Sequence, residues 1–167
     1  MKSLLRRPSG VPALAVVLLC AGATACSSPD GRMALTPPSP PAKQAALCRA
    51  LHQELPRTLA GKPLRDTEPA SELTAAWGDD PAVTLRCGVP RPKLLDHRPP
   101  PDGMYIDDVG WLPEKQPDGS VRCTTVLREA YVEVTLPKEV AGAAGDVSAL
   151  TGLAGAVKKT VPEGYVR

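Results

Sequence analysis

The sequence predicts an α+β fold, a small antiparallel sheet of about four strands covered on one face by an N-terminal and a C-terminal helix. Near both ends of the chain, apolar residues recur every three or four positions, which is typical of helices that bury one side. Between these segments, apolar and polar residues alternate, the period of a half-buried strand. This order of elements favours a sheet whose apolar face is covered by the two helices.

The two helices are predicted from their apolar spacing and their end signals. Leu47, Leu51 and Leu55 are four residues apart, and Pro56 ends the first helix. Asp146 is the predicted N-cap of the last helix. The apolar residues of that helix follow a spacing of three and four: Val147, Leu150, Ala154, Val157 and Val161.

Four segments are predicted as strands. The alternation is clearest over residues 83–89 and 130–136, and weaker over 104–112 and 121–127. An Asp-Gly pair within residues 113–120 predicts a hairpin connection.

The remaining stretches between the helices are predicted as connections. Residues 57–68 are polar and contain glycine and proline, which favours a loop, and residues 71–77 are expected to form a short helical turn. Residues 77–81 are predicted as a tight turn, and residues 90–103, with five prolines, as a loop.

The first 25 residues have the order of an export signal. Lys2, Arg6 and Arg7 precede an apolar run over 11–19, and small residues stand directly before Cys26. We expect residues 1–25 to be a lipoprotein signal peptide that is removed at Cys26, whose thiol would carry the lipid. The mature protein would then lie on the outer face of the cytoplasmic membrane, with the membrane itself as its first partner.

Two alternatives to this signal stay open. Residues 8–29 carry no charge and are long enough for an uncleaved membrane helix, although proline, glycine and serine dilute the run. Cleavage without lipidation, after Ala25, would instead give a secreted protein. Residues 26–41 contain five prolines and are predicted as a tether of up to roughly 45 Å, which leaves residues 42–167 as a single domain.

The charge of the mature chain excludes one class of partner. The first 25 residues hold three of the 20 basic residues and none of the 18 acidic ones, so the chain from Cys26 has a net charge near −1. It has no Lys/Arg-rich stripe that would bind a phosphate backbone. We therefore expect no nucleic-acid partner.

Three cysteines would remain in the mature chain after Cys26, and an oxidising compartment favours a disulfide between two of them. Cys48 lies on the buried edge of the first predicted helix and Cys87 on the inward face of the clearest strand, which makes them disulfide candidates. Three pairings are open at this stage. The third cysteine, Cys123, is expected to be a small buried apolar residue rather than a nucleophile or an intermolecular crosslink.

Several blocks together resemble a family of actinobacterial exported proteins catalogued as domain of unknown function 3515. The main blocks are Cys48-Arg49-Ala50-Leu51, Ala75-Ala76-Trp77-Gly78-Asp79, Leu85-Arg86-Cys87-Gly88-Val89, Val109-Gly110-Trp111 and Val132-Glu133-Val134. The resemblance covers residues from about 42 to the C-terminus. It implies a lipoprotein or secreted location and no particular activity.

The resemblance also bears on two details. In that family the cysteines matching Cys48 and Cys87 recur, while the position of Cys123 is often apolar. The resemblance therefore supports a disulfide between Cys48 and Cys87. Asp107-Asp108 stands where an Asn-Gly pair is common, so we expect this turn to be built differently here.

No catalytic or metal-binding residues are predicted. The only histidines, His52 and His97, lie outside any nucleophile motif, and no Cys or His pair has the spacing of a zinc site. Asp79-Asp80 and Asp107-Asp108 are expected to serve in turns or to be solvated, because adjacent residues in a strand point to opposite faces. We expect no cofactor and no enzymatic activity.

The leading hypothesis is a lipid-anchored, non-enzymatic envelope protein that interacts with another envelope protein. The alternative is a binding domain for a small anionic or glycan ligand, in a groove formed by Arg86, Trp111 and Arg128. Simpler interpretations are ion pairs of the two arginines with Glu133 or Glu129, and a core role for Trp111.

Overall fold

The structure, a computed structural model, describes residues 32–99 and 101–166. The predicted signal peptide, Cys26 and the first part of the predicted tether lie outside these residues. The described part contains the helices α1 (Ala42–Glu54), α2 (Lys138–Ala141) and α3 (Thr151–Thr160). Its strands are β1 (Met33–Ala34), β2 (Thr58–Leu59), β3 (Lys62–Arg65), β4 (Thr67–Glu68), β5 (Thr74–Trp77), β6 (Val83–Cys87), β7 (Met104–Ile106), β8 (Val109–Lys115), β9 (Val121–Thr125) and β10 (Val132–Leu136).

The α+β class is confirmed, but the predicted strand number is wrong. The main sheet has eight strands in the order β2-β3-β5-β6-β10-β9-β8-β7, and all neighbouring strands are antiparallel. A second, two-stranded sheet pairs β1 with β4 in parallel. The strands predicted from alternation, β6, β8, β9 and β10, are four of these eight and include the longest.

The strands that the sequence analysis missed are short or lack alternation. Strands β2, β3 and β4 replace the predicted polar connection; each has two to four residues, and β3 is mostly exposed. Strand β5 replaces the predicted helical turn, and all four of its residues are buried. A strand buried on both faces shows no alternation, so the period gives no signal there.

The predicted strand over 104–112 is in fact a hairpin. It turns at Asp107 and Asp108, whose φ angles of 45° and 64° are both left-handed. Two left-handed central residues are the requirement of a type I′ hairpin turn, which asparagine and glycine meet more easily than aspartate. The turn therefore occurs at the position for which the resemblance implied an Asn-Gly pair, with two aspartates in the left-handed conformation.

Both long helices pack on the same face of the main sheet. One cluster of buried side chains joins α1, α3 and the inward residues of the sheet, among them Leu51, Val134 and Leu153. Trp77 and Trp111, both fully buried, are the largest side chains in it. The chain has no phenylalanine, so these two indoles supply the large aromatic volume of the core.

The C-terminal helix begins later than its apolar pattern suggests. A 3-10 turn over Ser148–Leu150 leads into α3, and Asp146 accepts a hydrogen bond from the backbone N–H of Ser148 at 2.8 Å. The carboxylate thus forms an Asx-type turn ahead of the helical segment, but Asp146 is not the N-cap predicted for the last helix: Leu150 holds that position, with no side-chain cap.

The segment from residue 32 to 41, predicted as part of the tether, is attached to the domain. Met33 and Ala34 pair with Thr67 and Glu68, and the N–H of Met33 donates to Asp66 at 3.0 Å. Such a two-residue pairing has no recognisable signal in a proline-rich sequence. The folded part therefore begins several residues before Ala42.

Candidate functional site

Cys48 and Cys87 form a disulfide that joins α1 to β6, as expected from their predicted positions. Their Cα atoms are 5.5 Å apart and the bond closes a separation of 39 residues. Both side chains are 1% exposed, so the bond lies within the core. It fixes the helix against the middle of the sheet.

Cys123 is a buried free cysteine on β9. Burial raises the pKa of its thiol to about 12, because the apolar surroundings disfavour the charged thiolate. A thiol that stays protonated at neutral pH is a poor nucleophile. The position matches the prediction of a small buried apolar residue.

Arg86 lies on the face of the sheet opposite the helices. Its Nη1 is 3.3 Å from Oε1 of Glu133, the residue opposite it on β10, and its Nε donates to the carbonyl of Thr36 at 3.2 Å. Arg122 continues the row, 2.6 Å from Glu114. Arg86 therefore belongs to a cross-strand network of alternating charge, the simpler of the two roles considered for it.

Trp111 and Arg128 are both buried, in different surroundings. Trp111 is fully buried on the helix-covered face, and its Nε1 has no hydrogen-bond partner among the described residues. Arg128, between β9 and β10, is 5% exposed and donates to the carbonyls of Val161 at 3.1 Å and Asp108 at 3.2 Å. Its ionic neighbour is Glu163, at 3.7 Å, and not Glu129.

These positions do not give the ligand groove that the sequence analysis suggested. Trp111 lies opposite Thr125 on β9, and Arg86 lies opposite Glu133 on β10. Glu133 in turn lies opposite the residue before Thr125, and adjacent residues of a strand point to opposite faces, so Trp111 and Arg86 lie on opposite faces of the sheet. Arg128 holds two backbone carbonyls. Each of the three side chains lies in or beside a family motif, but the position of a motif does not tell which face of the sheet a side chain occupies.

A different groove forms where β7 and β8 meet the C-terminal segment, with a volume of about 370 Å³. Its walls include Tyr105 and Tyr165, whose residues are 70% and 76% exposed, and Leu127, which is 47% exposed. Asp108 and Glu163 also line it, and Arg128 lies at its base. We call this the tyrosine groove, and define it by these six residues.

The tyrosine groove is held together by backbone pairing. The N–H of Glu129 donates to Pro162 at 3.0 Å, and that of Gly164 to Leu127 at 3.0 Å, so the C-terminal segment is fixed beside the β9–β10 connection. Sequence reasoning missed this site because residues 162–165 have no periodic pattern. Tyr105 and Tyr165 are 60 positions apart, so no local pattern links them.

One family model matches residues 9–166, and its description is "Protein of unknown function (DUF3515)". The match covers far more than half of the chain. The chain belongs to the DUF3515 family. No curated protein and no solved structure matches it.

In this DUF3515 protein the remaining polar candidates are separate from one another. Asp79 pairs with Arg65 at 3.2 Å and Asp108 with Lys158 at 3.4 Å. His52 is half-buried on α1, and its Nδ1 finds no hydrogen bond within the described residues. Over residues 32–99 and 101–166, no group of three or more His, Cys, Asp or Glu side chains is placed to hold a metal ion.

A cavity of about 790 Å³ lies where α1 ends beside β3 and β5 of the DUF3515 domain. Arg32, His52, Arg57 and Arg65 line it, together with Asp66 and Glu72. Arg32 pairs with Glu68 at 3.5 Å, which reduces the positive charge available in the cavity. In the part of the chain that the structure describes, no helix is both long enough and apolar enough to cross a membrane.

Proposed function

We propose that this protein is an exported, lipid-anchored and non-enzymatic module of the cell envelope, which acts by binding another envelope protein. The observation that carries the proposal is the disulfide between Cys48 and Cys87 in the middle of the core. Disulfides of this kind persist in exported proteins and are rare where thiols are kept reduced.

The lipid anchor is supported by the order of the N-terminal residues. A basic start, an apolar run and small residues lead directly to Cys26. A lipid-modified cysteine at this position would hold the mature domain at the outer membrane surface, and each buried CH₂ of its acyl chains contributes about 0.8 kcal/mol. Export and anchoring therefore have independent support, one from the fold and one from the signal.

The non-enzymatic part of the proposal rests on where the reactive side chains lie. The free thiol of Cys123 is buried on β9, and its pKa is raised. The half-buried His52 lies beside β3 and β5, toward the other end of the main sheet from β9 and from the tyrosine groove. A nucleophile and its base must lie within hydrogen-bond reach of each other. An anion-binding function has weaker support, since Arg32 and Arg65 in the cavity beside β3 and β5 already have acidic partners.

Lipidation is tested by metabolic labelling with an alkyne fatty acid in an actinobacterial host. We expect the wild-type chain to be labelled and to partition into detergent, and Cys26→Ser to be unlabelled. Cys20→Ser is the matched control, because it removes the neighbouring cysteine and should leave labelling intact. Equal labelling of wild type and Cys26→Ser would contradict the anchor at this residue.

Compartment and partner binding need separate measurements. A membrane-impermeant protease added to intact cells with permeabilised walls should digest the domain if it lies outside the cytoplasmic membrane. Crosslinking in such cells should give a discrete adduct with an envelope protein. Protection from the protease until the membrane is lysed would contradict export.

A further inference from the structure

We propose that the tyrosine groove binds a lysine or arginine side chain on an exposed segment of a protein partner. The inference rests on the proposed function in that it names the binding surface of the interaction module. Its first support is the distribution of exposed apolar residues. Of the five exposed large hydrophobic residues in the part of the chain that the structure describes, three line this groove: Tyr105, Leu127 and Tyr165.

The concentration of tyrosine is unusual for this chain. It has only five aromatic residues, and three of them, Trp77, Trp111 and Tyr131, are buried. The other two, Tyr105 and Tyr165, are both exposed at the same groove although they are 60 positions apart in the sequence. Tyrosine is enriched at the energetically important positions of protein interfaces, because it offers a large rigid surface with a polar end.

The backbone around the groove is held in uncommon conformations. Asp107, Asp108 and Leu127 have left-handed φ angles of 45°, 64° and 56°, and they are three of the four such non-glycine residues of the described chain. Residues in this conformation cost free energy and concentrate at binding and active sites. The strain at Leu127 holds an apolar side chain in solvent, where it contributes nothing to the core.

Gly110 lies at the floor of the groove, next to the Tyr105 ring that forms one of its walls. At Gly110, an added Cβ would come within 2.8 Å of Val126 and 3.5 Å of the Tyr105 ring. The 2.8 Å contact means that Val126 requires a glycine at this position, whereas 3.5 Å is ordinary van der Waals contact, so the Tyr105 ring packs over the strand at Gly110. Arg128, below, is fixed by its two carbonyl partners and by Glu163.

The charges indicate which ligand the groove would take. Its lining carries two carboxylates, Asp108 and Glu163, against one cation, Arg128, while Lys158 contacts Asp108 without lining the groove. The side chains of Asp108 and Glu163 remain 91% and 80% exposed despite their single ion-pair contacts. Exposed carboxylates beside aromatic faces attract ammonium and guanidinium groups through ion pairing and cation–π contacts.

A protein segment fits the groove better than a free small cation. The groove is open, and the exposed Leu127 offers an apolar contact next to the charged position. Strand β7 is the edge of the main sheet, so the approach from solvent is unobstructed by a neighbouring strand. A basic side chain flanked by an apolar residue would use the tyrosines, the carboxylates and Leu127 together.

The test uses the full-length chain purified in detergent and two short fluorescent peptides. One peptide carries alternating arginine and leucine, and the other has citrulline in place of each arginine. Fluorescence anisotropy should show binding of the arginine peptide and at least tenfold weaker binding of the citrulline peptide. Tyr105→Ala and Tyr165→Ala should each weaken binding about two- to fivefold, and the corresponding phenylalanine variants should restore it.

Matched variants separate specific from general electrostatic binding. Asp108→Asn with Glu163→Gln removes two charges at the groove, and Asp79→Asn with Asp80→Asn removes two at a distant turn. We expect the first pair to weaken binding and the second to leave it unchanged. Equal effects of the two pairs, equal affinity of wild type and the alanine variants, preference for a neutral oligosaccharide such as chitotetraose, or no peptide binding at all would each overturn the inference. Fatty-acid labelling at Cys26 is independent of these results, so a failure of the anchor and a failure of the groove are distinguishable.

Discussion

Removing the disulfide should destabilise the domain more than removing a buried cysteine elsewhere. The bond between Cys48 and Cys87 spans 39 residues. In the chain-entropy model, closing a loop of this size restricts the unfolded state by about 4 kcal/mol. Typical domains have only about 5 to 15 kcal/mol of total stability, so the loss is a large fraction of it.

The measurement is urea unfolding of wild type, of Cys48→Ala with Cys87→Ala, and of Cys123→Ala. The last is the matched control, because it removes one buried sulfur from the same core without opening a loop, and we expect it to cost about 1 kcal/mol. The double variant should lose at least about 4 kcal/mol, and its m value should rise because the unfolded chain is less constrained.

The same comparison can refute the reasoning. If the double variant loses no more free energy than twice the loss of Cys123→Ala, packing of the sulfurs accounts for the whole effect. The loop constraint would then contribute nothing, and the disulfide would lose its role as the fixation of α1 on the sheet. An unchanged m value alongside a small loss would lead to the same conclusion.

Three other predictions concern single residues. Replacing Arg128 by Met should cost about 2 to 3 kcal/mol in urea unfolding, because one buried and one partly buried carbonyl lose a charged donor. A loss equal to that of the exposed Arg57→Met would count against this. Cys123 should resist iodoacetamide at pH 8 in the folded protein, since its pKa of about 12 keeps the thiol protonated, and should react fully in urea, as mass spectrometry would show. The pKa of Asp118 is lowered by hydrogen bonds from the Ser120 hydroxyl and N–H, so its stabilising effect should be present above the ordinary carboxyl pKa and lost as the pH falls through the lower folded value. An NMR titration of Asp118 should show that lowered pKa in wild type and a return toward the ordinary value in Ser120→Ala.

The two strands with the clearest signal in the sequence, β6 and β10, are those with one buried and one open face. In β6 and β10 every second residue is buried, and the intervening positions, such as Arg86 and Glu133, reach solvent. In such strands the alternation of apolar and polar residues shows which face is buried. Strand β5 has no open face, so its sequence is mostly apolar without alternation. A helical turn would fit the same pattern.

The β7–β8 hairpin forms although its turn lacks the Asn-Gly pair that would have predicted it. Asn-Gly between alternating residues is a strong hairpin signal, because both residues adopt left-handed backbone readily. Here Asp107 and Asp108 occupy the same conformations without that signal. The turn is preserved by the pairing of Ile106 with Val109 on either side, which is a property of the folded sheet.

The binding surface was less predictable than the core because it depends on distant parts of the chain. Tyr105 and Tyr165 become neighbours only when the C-terminal segment pairs with the β9–β10 connection. Likewise, Arg86 and Trp111 lie in recognisable motifs, yet the register of the sheet places them on opposite faces. The sequence could identify which residues are buried or unusual, but only tertiary pairing decides which of them share a surface.

The attachment of residues 33–34 also changes how far the tyrosine groove could lie from the membrane. If Cys26 carries the anchor, seven residues separate it from Met33, which allows at most about 25 Å, compared with the roughly 45 Å predicted for a longer tether. Met33 lies beside β4, and β4 contacts β5 through the hydroxyls of Thr67 and Thr74, 2.8 Å apart. From β5 to β7 there are five strand spacings, or about 24 Å. The steps from β1 to β4 and from β4 to β5 add about two more strand spacings, so the groove lies toward the far edge of the sheet and within about 60 Å of the anchor, which favours a partner that is itself held close to the membrane.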